Sequence, residues 1–227
     1  MNAEAASVER RAAVHAALGD PGRLAVVDAL VLGDRSPGEL GESLGMPSNL
    51  LAHHLRLLEQ AGVIERGRSE ADRRRTYVRL VPSAVPGSPA PRLAAPRVVF
   101  VCTHNSARSQ FASALWARRS AVPVASAGTH PARRVHRRAV SVGRRHGLRL
   151  DGARTADVAD VLRADDLVVA VCNSAYEELG GAGLHWAVAD PLREDTQAAF
   201  ERAFEEIEQR VDRLAGAMET TNAGRRA

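Results

Sequence analysis

Cys102 closes the apolar run Val98-Val-Phe-Val, and Arg108 follows six residues later with only small or polar residues between: Thr103, His104, Asn105, Ser106 and Ala107. Cysteine attacks as its thiolate, which a neighbouring guanidinium and the amino end of a helix both stabilise. Arg108 supplies the first, and a helix expected to begin near Ser109 supplies the second. The backbone amides of the loop 103–108 can wrap a tetrahedral anion while Arg108 forks onto two of its oxygens. The chemistry predicted is attack by a thiolate on an oxyanion held in a ring of N–H donors.

Such a loop needs rigid elements on both sides. The apolar residues before Cys102 read as a buried strand, and Gln110 to Arg119 (QFASALWARR) reads as a helix with Phe111, Leu115 and Arg118 at helical spacing. Cys172 ends a second apolar run, Leu167-Val-Val-Ala-Val171. The 227 residues contain no other cysteine, no apolar stretch near the ~20 residues of a membrane span, and an amino terminus (MNAEAASVERR) without a signal-peptide core. A cytoplasmic protein whose two thiols serve chemistry rather than a structural bridge is expected. No metal site is expected.

From about Arg97 to Glu219 the chain resembles the low-molecular-weight phosphotyrosine phosphatases and the arsenate reductases that share their fold. Three motifs in matching order carry the likeness: Cys102 to Ser109, Ser126-Ala-Gly-Thr129 after a short strand, and the late Asp190-Pro191. The resemblance implies Cys102 as nucleophile, Arg108 as oxyanion clamp, Ser109 as hydroxyl donor to the thiolate, Asn105 as loop organiser and Asp190 as proton donor to the leaving oxygen. Tyrosine phosphatases of this fold usually follow the Asp-Pro with aromatic residues; here Leu192 and Arg193 follow. The wording His104-Asn-Ser-Ala-Arg-Ser-Gln110 is closer to the reductases, which place a resolving thiol where Cys172 stands. Thioredoxin-coupled members carry one more cysteine after the second, and Asn173 to Leu184 has none. Three routes stay open: direct reduction of a Cys102–Cys172 disulfide, relay to an external thiol (thioredoxin or a small thiol such as mycothiol), or poor turnover. No bound cofactor is implied, and phosphoester hydrolysis remains an alternative because the first step is shared.

Every basic residue in the chain other than histidine is arginine. Residues 97–154 hold 12 Arg against one acid, and residues 155–227 hold 7 Arg against 15 acids. The nucleophile loop thus sits in a strongly positive segment that draws anions, or that pairs with the acidic segment behind it.

Before the loop lies VPSAVPGSPAPRLAAP, whose prolines predict a semi-stiff tether. The pattern upstream is of another kind. Asp20-Pro21 opens a helix with Leu24, Val27 and Val31 on one side. Ser36-Pro-Gly-Glu39 is a capping box for a short helix ending near Gly45. Ser48 caps a third helix through Gln60, with Leu51, Leu55 and Leu58 as its buried stripe. Residues 63–68 and 76–80 read as two strands around a polar loop. With Leu18-Gly-Asp-Pro-Gly-Arg-Leu24 and Ala52-His-His-Leu-Arg-Leu-Leu-Glu-Gln-Ala-Gly-Val-Ile64, this segment resembles ArsR-type winged-helix repressors. Asn49, Ala52, His53 and Arg56, with Ser48 at the helix start, would face the major groove, and Arg73, Arg74 and Arg75 at the wing tip would meet phosphate or the minor groove. His54 falls on the packed side and is read as structural. The metalloid-binding cysteines that many such repressors carry are missing from Glu39-Leu-Gly-Glu-Ser-Leu44. Residues 1–82 carry 11 Arg and 11 acids, so only local concentration of charge favours DNA.

The expected architecture is therefore a winged helix-turn-helix domain, mostly α with a β-wing (residues 1–81), a proline-rich linker (82–96), an α/β domain with a four-stranded parallel sheet (97–219) and a tail (220–227). The expected partners are operator DNA, arsenate or phosphate, a thiol donor and a second copy of the chain, dimerising through residues 2–18 or through the second domain. The expected function is that of a regulator joined to a thiol-dependent arsenate reductase, with a non-catalytic oxyanion sensor as the alternative to an enzyme.

Overall fold

The computed structural model describes residues 3–85 and 90–219, with side chains from residue 7 onward. The chain divides into two compact units, Met1–Ala90 and Pro91–Ala227.

In the first unit, α1 (Ala3–Leu18) leads into α2 (Pro21–Leu30). Asp20 caps α2 by accepting from the Arg23 N–H at 2.9 Å, and the Arg23 guanidinium returns to the Ala17 carbonyl at the end of α1. The buried face of α2 is Val26, Val27 and Leu30; Leu24, expected in the buried stripe, is 46% exposed. The reason is angular, because Val27 and Leu30 fix the inward side and Leu24 sits at its margin. α3 (Pro37–Leu44) starts on the Ser36–Glu39 capping box, with both reciprocal bonds formed, and stops at Gly45 with φ +61°. α4 (Ser48–Gln60) buries Leu51, Leu55 and Leu58. Ser48 is its first helical residue rather than its cap: Pro47 holds the cap position and no side chain bonds there. Strands β1 (Ile64–Arg68) and β2 (Thr76–Leu80) pair antiparallel, and Arg35 bridges to Val78 on β2.

The tether expected over residues 82–96 is drawn in from both ends. Val81 donates to the Val63 carbonyl, a 3-10 turn covers Pro82–Ala84, and Val85 is buried in the first core. Leu93 exchanges backbone bonds with Ala217 and Glu219 in the second unit. Both apolar side chains and unsatisfied N–H groups favour docking over an open path. The tail 220–227 lies outside the described residues.

The second unit runs β3 (Val98–Cys102), α5 (Arg108–Arg119), β4 (Val124–Gly128), α6 (Arg137–Arg145), α7 (Val158–Val161), β5 (Leu167–Ala170), α8 (Asn173–Glu178), β6 (Leu184–His185), α9 (Pro191–Glu194) and α10 (Gln197–Ala217). All three strand pairings are parallel, in the order β4-β3-β5-β6. The buried side of α5 is Phe111, Leu115 and Trp116; Arg118 is exposed and donates to the His146 carbonyl. Phe100 packs edge to face on Trp116 and at a tilt on Trp186, and Phe111 meets Phe204 of α10 at 5.4 Å. From β3 the chain moves to one side for β4 and to the other for β5, so the carboxyl ends of β3 and β5 flank a topological switch point, the usual position of a ligand crevice in such sheets.

Candidate active site and DNA-reading face

Cys102 is the last residue of β3, and Cys172 follows β5, with Val101 paired to Ala170 between them. Both cysteines therefore lie at the switch point; both are free thiols and both are buried. The loop between Cys102 and α5 is shaped by its carbonyls. Those of Cys102, Thr103, His104 and Ser106 accept from the N–H groups of Thr129, His130, Ala132 and His136, at 2.8 to 3.2 Å. With the carbonyls turned outward, the amides of residues 103–107 are left facing the other way, and among the described residues they donate to no protein acceptor. Unspent N–H groups gathered before a helix amino terminus are the donors that an anion site requires.

Asn105 holds that shape in the left-handed region, with φ +48°. Its side-chain oxygen accepts from the Ala156 N–H at 3.0 Å and from Gln110, and its amide nitrogen donates to the Ser109 hydroxyl at 2.8 Å. The Ser109 oxygen stands 3.0 Å from the Cys102 sulfur. Since Asn105 already occupies an acceptor site on that oxygen, the hydroxyl hydrogen is available to the sulfur. Gly128 supports the loop from beneath: a Cβ there would stand 2.8 Å from the Thr103 carbonyl oxygen and 3.0 Å from the Asn105 nitrogen.

Arg108 is buried, with one guanidinium nitrogen donating to the Val188 carbonyl at 3.0 Å and the other 3.3 Å from Asp190. Asp190 caps α9 through the Leu192 N–H. Arg108 and Asp190 are thus joined directly. The Cys172 sulfur lies 3.5 Å from the Thr103 hydroxyl and accepts from the Ala175 N–H. Burial pushes its thiol above the ordinary range, while the Arg108 charge pulls the other way.

The catalytic set read from the sequence, Cys102, Arg108, Ser109, Asp190 and Cys172, thus gathers at one end of the sheet. Reading the sequence missed Gln110, which ties Asn105 to the Arg154 carbonyl, and the Val188 carbonyl that orients Arg108. Gln110 was adjacent to the loop and polar in a helix otherwise turned to the core, the one signal available. Ser126 to Gly128 belong to β4 itself rather than following it. Among the described residues no three His, Cys, Asp or Glu side chains gather as metal ligands, and no helix is long and apolar enough to cross a membrane.

In the first unit, Ser48, Asn49, Ala52, His53 and Arg56 are all exposed on α4, opposite the leucines, and Arg56 bonds to the His53 ring at 3.1 Å. His54 is buried, with Nδ1 at 3.8 Å from Asp20 and no hydrogen bond. At the wing, Arg73 is exposed. Arg74 is turned onto Asp72 through two bonds, and Arg75 lies 3.9 Å from the same carboxylate. Arg74 holds the Asp72 carboxyl below its usual range.

Residues 97–223, more than half of the chain, match the family model of the low molecular weight phosphotyrosine protein phosphatases, and residues 18–67 match a helix-turn-helix domain. No curated protein matches the chain. Among solved structures, an arsenate reductase from Archaeoglobus fulgidus DSM 4304 is 30% identical, with 52% of this chain and 98% of that one covered and a TM-score of 0.45. The tyrosine phosphatase Wzb from Escherichia coli K30, in complex with sulphate, is 23% identical over 54% and 97%, with a TM-score of 0.49. An arsenate reductase in a phosphate-binding state is 24% identical over 54% and 98%, with a TM-score of 0.46.

Proposed function

We propose a function from one premise: the chain belongs to the low molecular weight phosphotyrosine protein phosphatase family, and it joins that domain to a helix-turn-helix domain. The second unit is a thiol-dependent arsenate reductase, and the first is a DNA-binding regulator of the ArsR type. The observation that carries the reductase reading is the second buried thiol. Cys172 stands beside the nucleophile's strand, one hydroxyl away through Thr103.

In this reading the Cys102 thiolate attacks arsenic in arsenate seated on the amides of residues 103–107 and on Arg108. An arsenic–oxygen bond breaks, and Asp190 gives its proton to the departing oxygen, which leaves as water. Cys172 then attacks the Cys102 sulfur. The electron pair of the sulfur–arsenic bond passes to arsenic, which leaves as arsenite, and a Cys102–Cys172 disulfide remains. Two electrons from an external thiol, thioredoxin or a small thiol such as mycothiol, restore both cysteines.

Phosphoester hydrolysis is the second reading, supported by the Arg108–Asp190 contact, which serves a leaving alkoxide without any second thiol. Parallel turnover of arsenate and of an aryl phosphate, with thioredoxin or small thiols as donors, separates the two. Cys102→Ser is expected to abolish both reactions. Cys172→Ser is expected to stop multiple turnover of arsenate and to spare the ester. An unaltered arsenate rate in Cys172→Ser would remove the relay, and ester turnover without any arsenite would assign the phosphatase. A chain with neither activity whose DNA binding answers to arsenate or phosphate would be a sensor.

On the first unit, the exposed row Asn49, Ala52, His53 and Arg56 reads bases, and Arg73 at the wing meets phosphate. Arg74 and Arg75 join it when DNA competes for them with Asp72. A homodimer would set two copies of α4 about ten base pairs apart.

A further inference from the structure

The stretch 129–150 contains seven arginines and three histidines and not one acid. Only part of that charge is neutralised. Arg138 meets Asp195 at 3.4 Å, and Arg145 and His146 both meet Glu201. Arg133, Arg134, Arg137, Arg144 and Arg149 are exposed, and none has an acidic partner among the described residues.

Two of them share the outer face of one helix. The amphipathic helix α6 buries Ala139, Val142 and Gly143 and turns Arg137, Ser141 and Arg144 outward. The two arginines stand two turns apart, about 10 Å along the axis. Arg133 and Arg134 precede the helix in the chain and Arg149 follows it, all three exposed. Five exposed like charges within 17 residues, with no acid among them, repel one another at a cost that a polyanion would relieve. Among the described residues the large exposed apolar ones, Val8, Leu24 and Leu50, all lie in the other unit, so these arginines lack the aromatic and aliphatic anchors of a protein interface. The guanidinium fork fits phosphate oxygens in pairs.

We propose that this arginine face of the second unit binds the phosphate backbone of duplex DNA without regard to sequence. The choice of DNA over another polyanion rests on the helix-turn-helix reading, because a duplex held by the first unit is presented to the second at the high local concentration of a covalent neighbour.

The test is the salt dependence of binding of the full chain to a mixed-sequence duplex. Each arginine that meets a phosphate adds about 0.9 to the slope of log K against log salt. Replacing all five residues by Gln is expected to lower the slope by about 2 to 4 units and to weaken binding tenfold or more at about 0.1 M salt. Replacing all five by Lys is expected to restore the slope. The pair R137Q/R144Q, on the outer face of one helix, is expected to lower it by about 1 to 2 units without touching any packed side chain. R56Q on α4 tests the helix-turn-helix reading separately, since its effect falls on the first unit alone. A slope unchanged to within one unit in the five-Gln chain overturns the proposal. So does failure of the five-Lys chain to recover. If the five-Gln chain keeps its DNA slope but loses binding to polyglutamate, the face belongs to an acidic protein and the proposal is wrong.

Discussion

Ser109 and Asn105 show how much of the cradle depends on single hydrogens. Asn105 donates to the Ser109 oxygen, and Ser109 is left to donate to the Cys102 sulfur. Ser109→Ala removes the last donor while leaving the loop's backbone bonds intact. The expected result is a loss of about 10²-fold in kcat with KM little changed, the size seen when one donor to a developing charge is removed; a fall in kcat/KM carried wholly by KM would count against the role. At the wing, Asp72 takes up Arg74 and lies near Arg75. Asp72→Asn should release both and strengthen binding to duplex DNA several-fold at low salt, as gel-shift or anisotropy titration would show, with the gain vanishing as salt rises. Cys102, Arg108 and Asn105 could be picked out of the chain as candidates because they are close together in it and chemically distinctive. The Val188 carbonyl could not, since any residue presents the same backbone oxygen and it lies 80 positions from Arg108.

At the scale of elements, the nucleophile loop is held between β3 and the segment that leaves β4. Four loop carbonyls are pinned by residues 129–136, and Gly128 lets the two backbones approach. Gly128→Ala would force the loop outward by several tenths of an ångström, which is enough to misalign the amides. Inhibition constants for inorganic phosphate should rise tenfold or more in this variant, while far-ultraviolet circular dichroism stays unchanged; an unaltered constant would show that the loop accommodates the methyl group. The helices and strands were largely legible from periodicity and caps: the Ser36–Glu39 box, the leucines of α4 and the parallel strand runs all stand where the pattern puts them. Pattern failed where small or ambiguous residues dominate. Ser126 to Gly128 carry little strand propensity and are strand only because β3 lies alongside, and Ser48 lost the cap to Pro47 because the turn after Gly45 set the helix start. Leu93 and Val85 looked like tether residues, and tertiary contacts that local sequence does not encode drew them in.

Among the described residues the first unit packs its core on Leu40, Leu55, Leu58 and Val78, and the second packs one cluster on Phe100, Trp116, Trp186 and Phe204 and another on Val99, Val101, Cys102 and Cys172. The second unit also has electrostatic weak points. In the second unit Arg97 forks onto Asp166 at 2.6 and 2.7 Å, fastening the starts of β3 and β5, and the Asp166 side chain is 1% exposed. The Arg97 guanidinium holds the Asp166 carboxyl below its usual range. A carboxyl with a depressed folded value stabilises the fold above the unfolded value near 4, and that contribution is lost as pH falls through the folded value. Burial likewise lowers His136, against the pull of Asp195 and with help from Arg138 and Arg137. Its neutral form is the one the fold prefers, so the unfolded state gains protons first as pH drops below about 6.5, and stability declines there. Calorimetry at pH 7 is expected to resolve two transitions. Asp166→Asn should lower one by about 3 kcal/mol, because it leaves a half-desolvated guanidinium without its partner. Leu55→Ala should lower the other by about 2 to 5 kcal/mol through the cavity it opens. Acidification to pH 5 should move the transition sensitive to Asp166→Asn, and His136→Gln should blunt that shift. A single transition displaced equally by both substitutions would mean that the units unfold as one body, and stability could not then be assigned core by core.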